Sequence, residues 1–380
     1  MKVLILSCNT GEGHNSAARA LMDELDRRDI KSEMVDPLSF ISESTSKFIS
    51  ACYNNMIKKT PLAFGEMYKG AEIFSDTELT SPVYWVTIGS AGKRQNYIRD
   101  NHFDAVISSH LFGMTALTAI RKRLDDSIPS YGVFTDYTVY PFIGETSIDA
   151  YFYPQVALEA DMLAHGRSRE TIVPTGIPVR AAFNHRIDKA AAREQLGLPQ
   201  DKKILLVMTG GGGCENMIAL CDEVVAATDD RVVAAVMVGR NEEMMTKLTE
   251  RYGEDGRIRP VPFTTLVNVY MNAADVLITK AGGLSTTEAA VANVPIVHVK
   301  SIPGCETYNV QFFSEHGLSL SAKTDGEAAA MAMRLAFDEE GAARMCEAQR
   351  ALINPHAARD IINVVESGVV AHGERACAKR

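Results

Sequence analysis

At 380 residues, 46% hydrophobic and 23% charged, the chain has the composition of a folded globular protein and exceeds what one core organises. Two domains of somewhat under about 200 residues each are expected. A formal net charge of -9 argues against a nucleic-acid partner, whose phosphates need clustered Lys and Arg. The seven cysteines form no C-x-x-C pair and have no His at metal-ligand spacing, which reads as reduced thiols in a cytoplasmic protein.

Residues 3–6 form an apolar run too short for a signal peptide and suited to a buried first strand. No uninterrupted apolar run reaches the roughly 18 residues of a spanning helix, so any membrane is met from one side. A glycine-containing loop and an Ala/Leu-rich helix over 15–28 complete the opening of a parallel βαβ unit. Between Phe40 and Tyr97 lie nine aromatics, Trp85 among them, interleaved with Lys47, Lys58, Lys59, Lys69, Lys93 and Arg94. That pattern suits a surface laid on anionic headgroups, with Lys58, Lys59 and Trp85 in contact. Glu43, Glu66, Glu72, Asp76 and Glu78 offset the charge, so a helical core face with a solvated exterior is the competing reading.

Residues 105–109, 130–134 and 148–153 have the length and apolar content of buried parallel strands and continue the first sheet. A Pro/Gly cluster at 174–178 breaks the pattern and places a boundary at 178. A second cycle follows, with strands over 203–208, 232–238, 258–261, 276–279 and 295–299 and a helix over 215–227. The expected fold class is therefore α/β: two Rossmann-like doubly wound domains, 1–178 and 179–368, with a mobile tail over 369–380. Both open with strand, glycine loop and helix, so both loops are expected to face a central cleft.

In the first half, Gly11-Glu12-Gly13-His14-Asn15-Ser16 almost completes a dinucleotide G-x-G-x-x-G, with Ser16 in place of the third glycine. Asp36 falls where a ribose-binding acid belongs, which leaves a nicotinamide-dependent reading open. His14 at the helix start favours a different chemistry, since a near-neutral imidazole can take a proton from an attacking hydroxyl. In the second half, Thr209 and Gly210 to Gly213 form a loop able to wrap phosphate with N–H groups, without the Lys-Ser/Thr of a P-loop. Residues 278–289, Ile-Thr-Lys-Ala-Gly-Gly-Leu-Ser-Thr-Thr-Glu-Ala, end a strand, turn at two glycines and start a Ser/Thr-capped helix suited to a diphosphate. Glu288, near one turn in, can accept hydrogen bonds from ribose hydroxyls or simply complement the helix dipole.

Residues 3–25 with Gly11, Gly13 and His14, the junction Thr175-Gly176-Ile177-Pro178-Val179-Arg180, and residues 278–289 together resemble the family of monogalactosyldiacylglycerol synthases and processive diacylglycerol glucosyltransferases. The resemblance, which spans nearly the whole chain, implies a GT-B fold of glycosyltransferase family 28 type. It implies a UDP-sugar donor in the second half, a lipid acceptor such as diacylglycerol in the first, and anomeric inversion with no cofactor or obligatory metal. It also implies peripheral attachment to the inner face of the cell membrane. By the same matching His14 lies at the reacting centre, Asp136 orients it or the acceptor hydroxyl, and Gly11 and Gly13 form an acceptor or phosphate loop. Donor contacts fall to Gly210, Gly211, Gly212, Phe263, Lys280, Gly282, Gly283, Ser285, Thr286, Glu288, Glu306 and Asn309.

Two departures stand out. The family's Pro-Gly-Gln-Glu reads Pro303-Gly304-Cys305-Glu306 here, and the His and Trp that often follow its Thr-Asp pair are replaced by Tyr140 and Ile143. A hexose transferred to diacylglycerol is the leading expectation. The alternatives are an N-acetylglucosamine transferase for another lipid-linked acceptor, a sugar-nucleotide epimerase and a non-catalytic sugar-nucleotide binder.

Overall fold

The computed structural model describes residues 1–378 apart from 10, 76, 78, 125–127, 210–216 and 302, and in its helices omits the side chains of 53, 54, 57–59, 61, 373 and 375–378. Two compact units divide the chain: Met1–Ala181 with Asn354–Arg380, and Ala182–Ile353.

The first unit runs β1 (Lys2–Leu6), α1 (Glu12–Arg27), β2 (Lys31–Val35), α2 (Glu43–Lys59), α3 (Pro61–Ser75), α4 (Pro82–Ile88), α5 (Ala91–Asp100), β3 (Ala105–Ser108), α6 (Leu111–Leu124), β4 (Ser130–Val133), β5 (Ala150–Tyr153), α7 (Glu159–Ala164) and β6 (Ile172–Pro174). Its strands form one parallel sheet in the order β2-β1-β3-β4-β5-β6. Strands β3, β4 and β5 are buried along their whole length, which is why the sequence reads there as short runs without polar alternation. The order reverses between β1 and β3, and such a switch opens a crevice at the strands' carboxyl ends.

The second unit runs α8 (Ala181–Asn184), α9 (Lys189–Gln195), β7 (Lys203–Met208), α10 (Met217–Ala227), β8 (Val232–Gly239), α11 (Glu242–Tyr252), β9 (Ile258–Pro262), α12 (Val267–Ala273), β10 (Val276–Thr279), α13 (Gly283–Ala292), β11 (Ile296–His298), α14 (Cys305–Glu315), β12 (Leu320–Ser321), α15 (Asp325–Phe337) and α16 (Glu339–Leu352). Its parallel sheet, β12-β11-β10-β7-β8-β9, switches between β7 and β10.

The last element, α17 (Ala357–Ala378), corrects the expected division. It belongs to the first unit, not to a second domain ending at 368, and it continues as helix where a mobile tail was expected. The reason is its apolar stripe: Ala358, Ile361, Ile362 and Val365 pack with Val3, Ile5, Leu21, Leu25 and Phe152 in one core. Asn354 Nδ2 donates to the Thr175 carbonyl at 2.8 Å, and Arg28 pairs with Glu366, holding the helix in place. Gly368 lets it lie close to the sheet, since a Cβ there would fall 2.0 Å from Tyr131 Oη.

Residues 40–97 mix both readings of their charge and aromatic pattern. Arg94, read as a surface cation, is instead buried and donates to the carbonyls of Thr87 and Pro37, and Phe64 is buried as well. Phe48, Leu62, Ile73, Leu79 and Trp85 stand exposed.

Candidate active site

In the first unit, the carboxyl ends of β1, β3 and β4 converge on one imidazole. His14 sits in the first turn of α1, whose N-cap Gly11 is extended (φ 179°) and carries no side-chain cap. Gly13 lies in the same turn, half-buried. The loop is locked by Asn15, which accepts from Ser7 Oγ at 2.8 Å and donates to Asn9 Oδ1 at 3.1 Å.

His14 Nδ1 lies 2.8 Å from the Ser109 carbonyl and 3.0 Å from Thr135 Oγ1. A carbonyl only accepts, so Nδ1 carries the proton and Nε2 keeps the lone pair of a base. Burial holds the His14 pKa below its ordinary value, opposed by the charge of Asp136 and the hydrogen bond to Ser109, so the ring is neutral near pH 7. His110 packs edge-on at 4.5 Å between ring centroids, and burial, with His14 beside it, holds its pKa well below the usual value. Ser109 Oγ is buried without a hydrogen-bond partner among the described residues, a group for a bound hydroxyl or water to satisfy.

Asp136 is linked to His14 indirectly. Tyr140 Oη donates to Asp136 Oδ2 at 3.2 Å and lies 2.9 Å from Thr135 Oγ1. Asp36, which a dinucleotide reading requires, is already engaged: Ser46 Oγ donates to it at 2.6 Å and the Leu38 amide at 2.9 Å. Both carboxylate oxygens therefore already serve the turn after β2.

In the second unit, two helices start beside one turn. The N-caps of α13 and α14 are Gly282 and Gly304, neither with a side-chain cap. At Gly304 φ is 117°, a conformation that demands glycine. Asn309 Nδ2 donates to the Ala281 carbonyl at 2.8 Å, and Lys280 Nζ lies 3.6 Å from Glu306 Oε1, so α14 is tied to residues 280–281 ahead of α13. Two helix starts with their positive dipole ends lie beside one turn, a combination that favours a bound anion. From 281 to 292 only Gly282, Ser285 and Glu288 are half-exposed, at the three-residue spacing of one helix face, whereas Gly283 is buried.

Two expected donor contacts turn inward. The Thr286 hydroxyl is buried 3.3 Å from His298 Nε2, and Asn309 is buried, supporting the turn rather than facing out. His298, its pKa lowered to about 3 by burial, also meets Ser319 Oγ at 3.1 Å and is structural. Phe263, just after β9, is exposed with the Arg240 guanidinium 4.2 Å over its ring, an open aromatic face at the sheet's carboxyl edge. Gly210, Gly211 and Gly212 lie outside the described residues, as do the Lys58 and Lys59 side chains. A cavity of about 430 Å³ lined by Lys203, Asp275 and Pro295 sits at the opposite, amino ends of β7, β10 and β11, away from this constellation.

Solved structures share this fold. Acinetobacter baumannii MurG aligns with a TM-score of 0.65 at 14% identity, covering 96% of this chain and 99% of that one. The S. aureus MnaA–UDP co-structure aligns with a TM-score of 0.62 at 16% identity, covering 96% of each. Residues 204–325 match the model of the glycosyltransferase family 28 C-terminal domain. The chain is a glycosyltransferase of the GT-B fold. Within that class it is similar along both halves to the diacylglycerol enzymes: residues 14–179 match the monogalactosyldiacylglycerol (MGDG) synthase model. A processive diacylglycerol beta-glucosyltransferase of Bacillus mycoides (strain KBAB4) is 27% identical over 371 residues, 96% of this chain and 93% of the relative.

Proposed function

We propose that the chain transfers a hexose from a UDP-sugar to the hydroxyl of diacylglycerol at a membrane surface, with inversion and without an obligatory metal. The observation that carries this reading is His14, whose Nδ1 is fixed on the Ser109 carbonyl and whose Nε2 is left as the base. The lipid hydroxyl gives its proton to Nε2 while its oxygen attacks the anomeric carbon opposite the leaving group. The bond from that carbon to the diphosphate oxygen breaks, and its electron pair leaves on UDP. The N–H groups at the starts of α13 and α14, with Lys280, neutralise that charge. The donor's uracil stacks on Phe263 and its ribose meets Glu288. The name of the Bacillus relative supports both the acceptor and the inversion, since a beta product is what inversion of an α-linked donor yields.

The test is UDP release in a chelator with UDP-glucose, UDP-galactose and UDP-N-acetylglucosamine in turn, with and without diacylglycerol liposomes, the lipid product read by mass spectrometry and NMR. A β-linked hexosyl lipid formed only with liposomes is expected. Release without lipid would replace this reading by hydrolysis or epimerisation.

Glu288→Ala is expected to raise KM for the UDP-sugar about 10- to 100-fold, the loss of hydrogen bonds to a charged acceptor, with a smaller change in kcat. An unchanged KM would place the ribose elsewhere.

No helix among the described residues is long and apolar enough to cross a membrane. The membrane contact is proposed for the exposed apolar side chains of α2 to α4, with Leu62 77% and Trp85 60% exposed. Leu62→Glu with Ile73→Glu is expected to weaken liposome cosedimentation at least about tenfold, since each buried apolar side chain contributes roughly 1.5–3 kcal/mol. Undiminished cosedimentation would move the contact off this surface.

A further inference from the structure

We infer that Tyr140 and Thr135 are positioning residues for His14, forming a one-way chain of hydrogen bonds that ends on the Asp136 carboxylate. The inference rests on His14 being the base. The directions follow from the two ends. The Ser109 carbonyl can only accept, so His14 Nδ1 donates, and Thr135 Oγ1 at 3.0 Å receives the second branch of that N–H. A carboxylate can only accept, so the phenol of Tyr140 donates its single proton to Asp136 Oδ2 at 3.2 Å. Tyr140 Oη can then only accept from Thr135, taking the backbone N–H at 2.8 Å and the hydroxyl at 2.9 Å.

Every proton in the chain points from the imidazole toward the anion. In such a series each bond polarises the next, so the negative charge of Asp136 reaches Nδ1 without touching it. No proton needs to travel along the chain. Its effect is to hold the ring in one tautomer and to stabilise the imidazolium that forms when Nε2 takes the acceptor's proton. Tyr140 is itself held by stacking on Phe134, 4.8 Å between centroids with the ring planes parallel, which fixes the phenol without its hydroxyl. The departure from the family pattern at Tyr140 thus supplies a link. Among the described residues, the titratable groups beside His14 are Asp136, which acts on it from the loop after β4, and His110 from the turn after β3, which burial keeps neutral so that it adds no charge near pH 7.

The test uses the full chain with ring-labelled histidine, the His14 signal being assigned by its loss in His14→Gln. NMR titration then reads tautomer and midpoint without reference to turnover. Asp136→Asn is expected to weaken proton binding at His14 about tenfold. Tyr140→Phe should reproduce part of that shift, with Nδ1 still protonated against the Ser109 carbonyl, and the double variant should shift the midpoint by less than the sum of the two single changes. Thr135→Ser should keep the wild-type titration and Thr135→Val should lose it, a comparison that holds even if the phenylalanine variant folds poorly. The acid limb of kcat/KM should move down in pH with the midpoint. If Tyr140→Phe and Thr135→Val lower the melting temperature but leave the His14 midpoint as in wild type, the chain of bonds is packing and the inference is wrong. Failure of the transferase assay with a coupled titration would overturn the proposed reaction instead.

Discussion

His14→Ala is expected to lower kcat by about 10²- to 10⁴-fold, the usual worth of a positioned general base, while the affinity for UDP stays near wild type. The separation follows from placement. His14 is held by residues at the ends of β1, β3 and β4 in the first unit, and the groups proposed to bind the diphosphate belong to the second. The pH dependence has a definite sign. A base must be deprotonated to act, so activity is retained above the His14 pKa and lost as pH falls through it. Burial holds that pKa below 6.5, and the acid limb of kcat/KM should therefore have its midpoint below 6.5. A limb centred above 7, or an alanine variant with wild-type turnover, would remove His14 from the mechanism.

Ending the chain at Ile353 is expected to unfold the first unit. The truncation removes Ile361, Ile362 and Val365, each 0% exposed, from the core shared with Leu21 and Leu25. At roughly 1.5–3 kcal/mol for each fully buried side chain, the loss is about 5–9 kcal/mol, comparable with the about 5–15 kcal/mol that stabilises a whole domain. The newly bared faces of α1 and the sheet would also meet water. Limited proteolysis followed by mass spectrometry should show cleavage throughout residues 1–181 in the truncated chain and not in the full one. The milder Ile361→Ala should cost about 2–5 kcal/mol. Equal protease resistance of the two chains would mean that α17 is an appendage and not part of the core.

How much of this was legible beforehand differs by element. Strands β7 and β10 fall on the residues expected, 203–208 and 276–279, because a strand buried on both faces is a short continuous apolar run bounded by turn formers. The apolar stripe of α17 was equally present, at 358, 361, 362 and 365, yet a stripe says only that a helix covers something. Its assignment to the nearer domain in sequence was the natural reading and the wrong one. The spacing of Asp36 from Gly11 to Ser16 fits a ribose acceptor, while in the structure Ser46 and the turn at Leu38 hydrogen-bond to its carboxylate, contacts that the spacing does not reveal. Thr286 and Asn309 lie within or beside the donor motif and still turn inward: most of α13 faces the core, and Asn309 sits on the buried stripe of α14 with Phe312 and Phe313, donating to the Ala281 carbonyl. Tyr140 looked like a departure until its hydroxyl was found between Thr135 and Asp136.

By itself the sequence determined two parallel α/β units, their glycine turns at strand ends and a histidine at the first of those turns. These depend on local properties, namely apolar periodicity, the φ that only glycine adopts and the free N–H groups of a helix start. Only the tertiary structure decided which sheet α17 covers, which nitrogen of His14 keeps its lone pair and which hydroxyls of the donor motif are buried. Those depend on distances between residues as far apart as 14 and 135 or 25 and 361, and long-range packing sets such distances where no local window of sequence contains them.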